Sequence, residues 1–248
     1  LGRGKVGLPD LAGVYLFTTA GLVVTLVFLT GFLRPDPMHV AQEHGESPRG
    51  GKAGAGGADV WRRLWSIPLA RLALVTAPLN QAVMVAVRVL TPVHMHQHGH
   101  RLGAVSLTLS LHIAGMFAFS PVVGWLSDRR LGKVGCILVG VAIHAAALTC
   151  CVLAGQNMAV LNLGLFLLGL GWSFASVSSS ALLVASAPAE IGAKSQGSLD
   201  ALANVGAAVA AGLAGPVMVA SQYQGLALIS GTCLIPIAWM AVRALRSA

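Results

Sequence analysis

Residues 134–189 read VGCILVGVAIHAAALTCCVLAGQNMAVLNLGLFLLGLGWSFASVSSSALLVASAPA, without a single Lys, Arg, Asp or Glu. About 20 consecutive apolar residues cross the hydrocarbon core of a bilayer, so this run is long enough to cross twice. The triplet Gly155-Gln156-Asn157 divides it with turn-forming residues. A chain built around such a stretch belongs in lipid.

Outward from there the same pattern repeats. Seven spans are expected, at roughly 11–33, 68–92, 103–126, 134–154, 158–187, 196–220 and 224–245, the last two divided by Ser221-Gln222-Tyr223-Gln224-Gly225. The expected fold is therefore an all-α integral membrane protein. Composition agrees, with 56% hydrophobic and only 10% charged residues, against about a quarter charged in an ordinary globular domain. The first span is too long and too weakly preceded by charge for a cleaved signal peptide. Cys136, Cys150, Cys151 and Cys233 all fall within apolar segments, without the spacing of a zinc site or a disulfide framework.

The net charge of +8 does not point to nucleic acid, because Lys and Arg fall at span ends and form no single patch. They read as topology determinants. Arg34, Arg49, Lys52, Arg62, Arg63, Arg71, Arg129, Arg130, Lys133, Lys194, Arg243 and Arg246 share one side; Arg3, Lys5, Arg88 and Arg101 dissent. Basic loops stay cytoplasmic, which predicts an outside N-terminus and a cytoplasmic C-terminus in the plasma membrane. Three segments follow: an N-terminal span over 1–33, a flexible cytoplasmic linker over 34–66, rich in glycine, proline and charge, and a six-helix unit over 67–248. The chain opens on Leu1 and not Met, and truncation of an upstream part is expected.

The most specific local pattern is Ser120-Pro121-Val122-Val123-Gly124-Trp125-Leu126-Ser127-Asp128-Arg129-Arg130-Leu131-Gly132-Lys133. It resembles the cytoplasmic loop motif of the major facilitator superfamily. That resemblance implies that Gly124 lets helices approach, that Asp128 interacts with a neighbouring helix N-terminus, and that Arg129 and Lys133 help hold an inward-closed gate. One residue more than usual precedes Gly132. The resemblance extends through Asn80-Gln81, Thr91-Pro92, His94 to His100, Ser110 to Met116, Gly169 to Phe174, and Gln196-Gly197 with Asp200. It makes the seven spans similar to helices six to twelve of a twelve-helix transporter. It implies rocker-switch transport with a cavity between two six-helix halves; the first five helices are missing, and a separate N-terminal partner or self-association would have to complete the cavity.

Ionisable residues inside spans are functional candidates by default. Asp200 lies one turn before Asn204 and is a candidate for proton coupling, or a structural carboxylate near Lys194. His112 shares a helical face with Met116 and Phe119, which offers either a cavity position or an interhelical hydrogen bond. His144 has the same two readings. Arg88 aligns with Asn80 and Met84, as a cavity cation or as a side chain snorkelling to the outer surface. His94, His96, His98 and His100 alternate in an expected outside loop, where a transition-metal site is the alternative to a family-like turn.

The leading expectation is a secondary active transporter exporting a small organic or drug-like molecule in exchange for protons. The bilayer and the small-molecule substrate are its partners, with no cofactor and no nucleic acid. A seven-helix receptor of the retinal kind would need a mid-span lysine, and Lys5, Lys52, Lys133 and Lys194 all lie outside mid-span. An intramembrane enzyme lacks a metal-ligand pair or a base for Ser178 to Ser180. The remaining alternatives are a fragment that needs an N-terminal partner and a metal-ion transporter using His94 to His100.

Overall fold

The structure, a computed structural model, describes residues 12–32, 57–188 and 191–247. Residues 34–56 of the linker expected over 34–66, with Arg34, Arg49 and Lys52, lie outside the described residues, as do Arg3 and Lys5. Nine helices account for nearly all that is described. These are α1 (Ala12–Phe32), α2 (Gly57–Ser66), α3 (Pro68–Gln97), α4 (Leu102–Phe117), α5 (Ser120–Arg129), α6 (Gly132–Leu153), α7 (Met158–Ser186), α8 (Gly192–Gly231) and α9 (Leu234–Arg246). The chain divides into two units, residues 1–54 and 55–248.

In the first unit, α1 is 21 residues long, enough to cross a bilayer. Thr25 and Thr30 return their hydroxyls to the carbonyls of Gly21 and Leu26, so their polarity is absorbed within the helix. Leu22, Val24, Val27 and Phe28 stand exposed on different faces.

In the second unit, five apolar stretches are long enough to cross a membrane, and the last, over 192–246, folds back on itself. The reversal is at Gln222, with φ 61° and ψ −179°. Leu199, before it, shares a core cluster with Ile237, Ala241 and Leu72. Tyr223, Ala227 and Leu234 pack with Met95, Ala154 and Leu161 at the other end. The break expected at 221–225 is thus one residue long. The final span is interrupted again at 232–233 before α9 begins. The conformation of Gln222, unlike that of Thr232 and Cys233, is essentially confined to glycine and costs a side-chain-bearing residue about 1–3 kcal/mol. Gln222→Gly is expected to stabilise the chain by about 1 kcal/mol after the added unfolded-chain entropy is subtracted. Thermal unfolding in detergent should show a midpoint about 2–4 °C higher, and a lower midpoint would refute the reversal.

The third expected span is one crossing in two pieces. Pro121 sits in the first turn of α5; in an unbroken helix its ring would clash with the carbonyl of Phe117, and the helix breaks at 118–119. The fifth begins at Asn157, whose side chain accepts from the amides of Ala159 and Val160 at 3.0 and 3.3 Å, capping α7. Helix α7 is central, packing on α3, α4 and α6, while α8 lies along α3.

One part of the expected linker is folded. Residues 57–66 form α2, which sinks Val60 and Leu64 into the cluster of Ala70, Leu72 and Ile191. The six-helix unit therefore begins earlier than residue 67. The large apolar side chains left exposed, Val219, Leu102 and Leu153 among them, suit a surface solvated by lipid.

Candidate functional site

Three helices bring uncharged polar residues to one face. On α3, Asn80 is buried and its amide donates to Ser176 Oγ at 2.9 Å, while its neighbour Gln81 accepts from Trp172 Nε1 at 2.6 Å. On α7, Ser180 donates to Gln196 Oε1 of α8 at 3.2 Å. Gln196 Nε2 reaches Asp200 Oδ1 at 3.5 Å, at the limit of a hydrogen bond. Unpaired polar groups in an apolar medium are expensive, and this chain of partners offsets that while joining the helices.

A cavity of about 770 Å³ opens over these groups, lined by Gln81, Trp172, Ser176, Ser180, Gln196, Asp200 and Asn204 among others. Its floor is an indole with its N–H already engaged, and its walls are amides, hydroxyls and one carboxylate. Asn204 bonds the backbone carbonyl of Asp200 at 2.8 Å and leaves the carboxylate alone. Asp200 therefore retains most of its acceptor capacity towards the cavity. Such a lining suits a small polar or aromatic organic molecule.

Of the expected site residues, Asp200 and Asn204 line this cavity, and Asn80 backs it through Ser176. His112 does not reach it. Its Nδ1 pairs with the carbonyl of Leu165 at 2.9 Å, buried between α4 and α7. The backbone of His112 lies directly over Gly169, the close approach that encloses the ring. The interhelical alternative is the one found, and Phe119 leaves the shared face because the helix breaks before it; its ring meets Phe166 edge-on. His144 is likewise buried, bonded to the carbonyl of Gly140 in its own helix. Arg88 is outside the cavity lining as well; its Nε is buried without a hydrogen-bond partner.

At the basic end, Gly132 adopts φ +70° and turns the chain from α5 into α6. This left-handed turn brings Lys133 Nζ to Asp128 Oδ1 at 3.4 Å and accommodates the extra loop residue. Arg130 lies over the Trp125 ring at 5.8 Å, while Arg129 is exposed. Gly124 faces open space, so among the described residues no helix approaches it and the expected close contact is not made within this unit. Asp128 is largely exposed, and an exposed pair contributes about 0–1 kcal/mol. Asp128→Asn is expected to shift the unfolding midpoint by less than about 4 °C. A larger drop, measured by thermal unfolding, would make the pair a structural brace.

The alternating histidines are not a free loop, because α3 continues through Gln97. His94 and His98 consequently share a face one turn apart, and the His94 ring stacks on Tyr223 at 4.3 Å. Among the described residues no three His, Cys, Asp or Glu side chains group to hold a metal ion.

This arrangement of packed apolar crossings, a polar cavity between α3, α7 and α8, and an Asp-Arg loop at the basic end has a counterpart among known families. The sequence model of the Major Facilitator Superfamily matches residues 10–211 and 95–246. The chain belongs to the Major Facilitator Superfamily. It is 36% identical over 238 residues to the uncharacterized MFS-type transporter YdeG of Bacillus subtilis (strain 168), covering 94% of this chain and 55% of that protein. It is 33% identical over 230 residues to the uncharacterized MFS-type transporter YddS of the same organism, covering 93% and 52%. The riboflavin transporter RfnT of Brucella anthropi is 29% identical over 158 residues, covering 62% of this chain and 38% of that protein. The chain thus spans about half the length of the curated relatives it matches. Within this superfamily it is a multi-pass membrane protein of all-α fold.

The sequence alone did not single out Gln81, Trp172, Ser176, Ser180 and Gln196 as cavity residues. The signal was available: an indole N–H and amide side chains inside apolar spans need partners there, and those partners fix which faces meet.

Proposed function

We propose that this chain forms the substrate-binding, proton-coupled half of a secondary active transporter, which exports a small organic or drug-like molecule across the plasma membrane in exchange for protons. The observation that carries this reading is the cavity over Gln81, Trp172 and Gln196 with the carboxylate of Asp200 on its wall. A carboxylate inside a span is costly in lipid and earns its place where it takes and releases a proton. The basic end, with Arg71, Lys133, Lys194 and Arg243, is the cytoplasmic one, which leaves the reversal at Gln222 outside and the C-terminus inside. Gly124, Asp128, Arg129 and Lys133 act as the inner gate, with Gly124 receiving a helix from a second half. Arg88, whose buried Nε has no partner, meets an acidic group from that second half or from the substrate.

The test is transport in proteoliposomes. This chain is reconstituted alone and together with the part of YdeG that it does not match, with a pH-sensitive dye trapped inside and riboflavin as first probe. Substrate-dependent proton movement is expected with both parts present. Substrate movement without any proton movement would remove the coupling, and neither movement across a panel of organic cations, neutral aromatics and flavins would remove the transporter reading of the cavity.

A further inference from the structure

A second groove, mostly apolar but carrying two arginines, lies at the basic end, away from the cavity just described. Helix α2 ends at Ser66 and α3 starts at Pro68, so the chain turns sharply there and leaves Trp65 and Arg71 close to the same edge. Helix α9 completes the groove with Trp239, Arg243 and Ser247, enclosing about 640 Å³. The Arg243 guanidinium sits 4.0 Å from the centroid of the Trp239 ring, which holds it over the opening.

Two properties of this groove point to a ligand. Its cationic side chains are uncompensated: no acidic residue lines it, and the ion pairs among the described residues are Arg62 with Asp59 and Lys133 with Asp128. Its rim is amphipathic. Trp65 and Trp239 are 49% and 55% exposed, as indoles are at a membrane interface, and Ile235 and Val242 continue along α9 as an exposed apolar rail. A guanidinium pair offers forked donors that match phosphate oxygens, and the rail offers acyl chains a protein surface.

We propose that this groove binds an anionic glycerophospholipid, its phosphate on Arg71 and Arg243 and an acyl chain along Ile235, Trp239 and Val242. A soluble phosphate would satisfy the guanidiniums but would leave the indoles and the rail without a partner. A lipid fills both. The site is independent of what the transporter carries.

Tryptophan quenching tests it directly. The full chain is placed in phosphatidylcholine vesicles and titrated with dibrominated phosphatidylglycerol, and in a parallel arm with dibrominated phosphatidylcholine. Phosphatidylglycerol is expected to quench at the lower mole fraction. Arg71→Gln with Arg243→Gln should weaken it by about tenfold or more, since each basic residue near a lipid phosphate contributes on the order of a kcal/mol. Arg129→Gln with Arg130→Gln, at the separate α5–α6 loop, should leave the affinity unchanged. Equal quenching by both lipids, or an equal loss in the two double variants, would overturn the site. Displacement by millimolar inorganic phosphate would reassign it to a free anion. Should the double variant fail to fold, Arg243→Lys keeps the charge and loses the fork, and an unchanged phosphatidylglycerol affinity then overturns the proposal.

Discussion

Gly206→Leu is expected to separate the two helices that frame the cavity. A side chain at Gly206 would run into the backbone of Pro78, at its carbonyl oxygen, Cα and carbonyl carbon. A flexible side chain could swing aside, but a backbone inside α3 cannot. Overpacking typically costs 1–3 kcal/mol, and a four-carbon insertion against main chain belongs at or above the upper end. The loss would spread to Met84, Ala210 and Ala214, which form one cluster across that seam. An unfolding midpoint about 6–12 °C lower is expected for a loss of about 3 kcal/mol. Gly212→Leu, six residues on in the same helix, meets open space and should leave the midpoint unmoved. Equal tolerance of the two would mean that α3 and α8 do not meet at Gly206.

Asp200→Asn is the second large effect, and it falls on function. Asparagine keeps the size and the contact with Gln196 but cannot exchange a proton. Under the proposed exchange of one proton, a gradient of one pH unit stores about 1.4 kcal/mol and supports about tenfold accumulation of an uncharged substrate. The variant should fall to no accumulation while still equilibrating substrate down its own gradient. Asp200→Glu should retain part of the accumulation. The measurement is substrate uptake with and without the imposed gradient, and wild-type accumulation by Asp200→Asn would take Asp200 out of the coupling. Stability should move little, because the carboxylate is exposed and its one side-chain contact is at 3.5 Å.

The crossings were legible because lipid imposes one demand on every helix, a long uncharged run, and the turn-forming breaks at 155–157 and 221–225 marked where the uncharged runs divide. Three features escaped that logic for separate reasons. Helix α2 was hidden in a glycine-rich segment, although Val60 with Leu64 and Trp61 with Trp65 repeat at one turn. Composition over a long window dilutes so short a period. The direction in which His112 faces was undecidable from its own helix, since lipid, cavity and neighbouring helix all leave apolar residues around it. The deciding residue, Gly169, lies far along the sequence. The cavity itself was half legible: Asp200 and Asn204 are conspicuous by charge and polarity, whereas Gln81, Ser180 and Gln196 become a site only when three helices are brought together.

The reversal at Gln222 has a mechanical consequence. A junction of one residue has no slack, so the rod carrying Asp200 cannot slide along its axis without dragging the segment that begins at Tyr223 with it. Gln222 is a pivot between the two segments, and the second break at 232–233 lets α9 turn independently of both. Spin labels placed within one turn on either side of Gln222 should hold one separation with and without substrate, while a label on α9 measured against the rod carrying Asp200 is free to change.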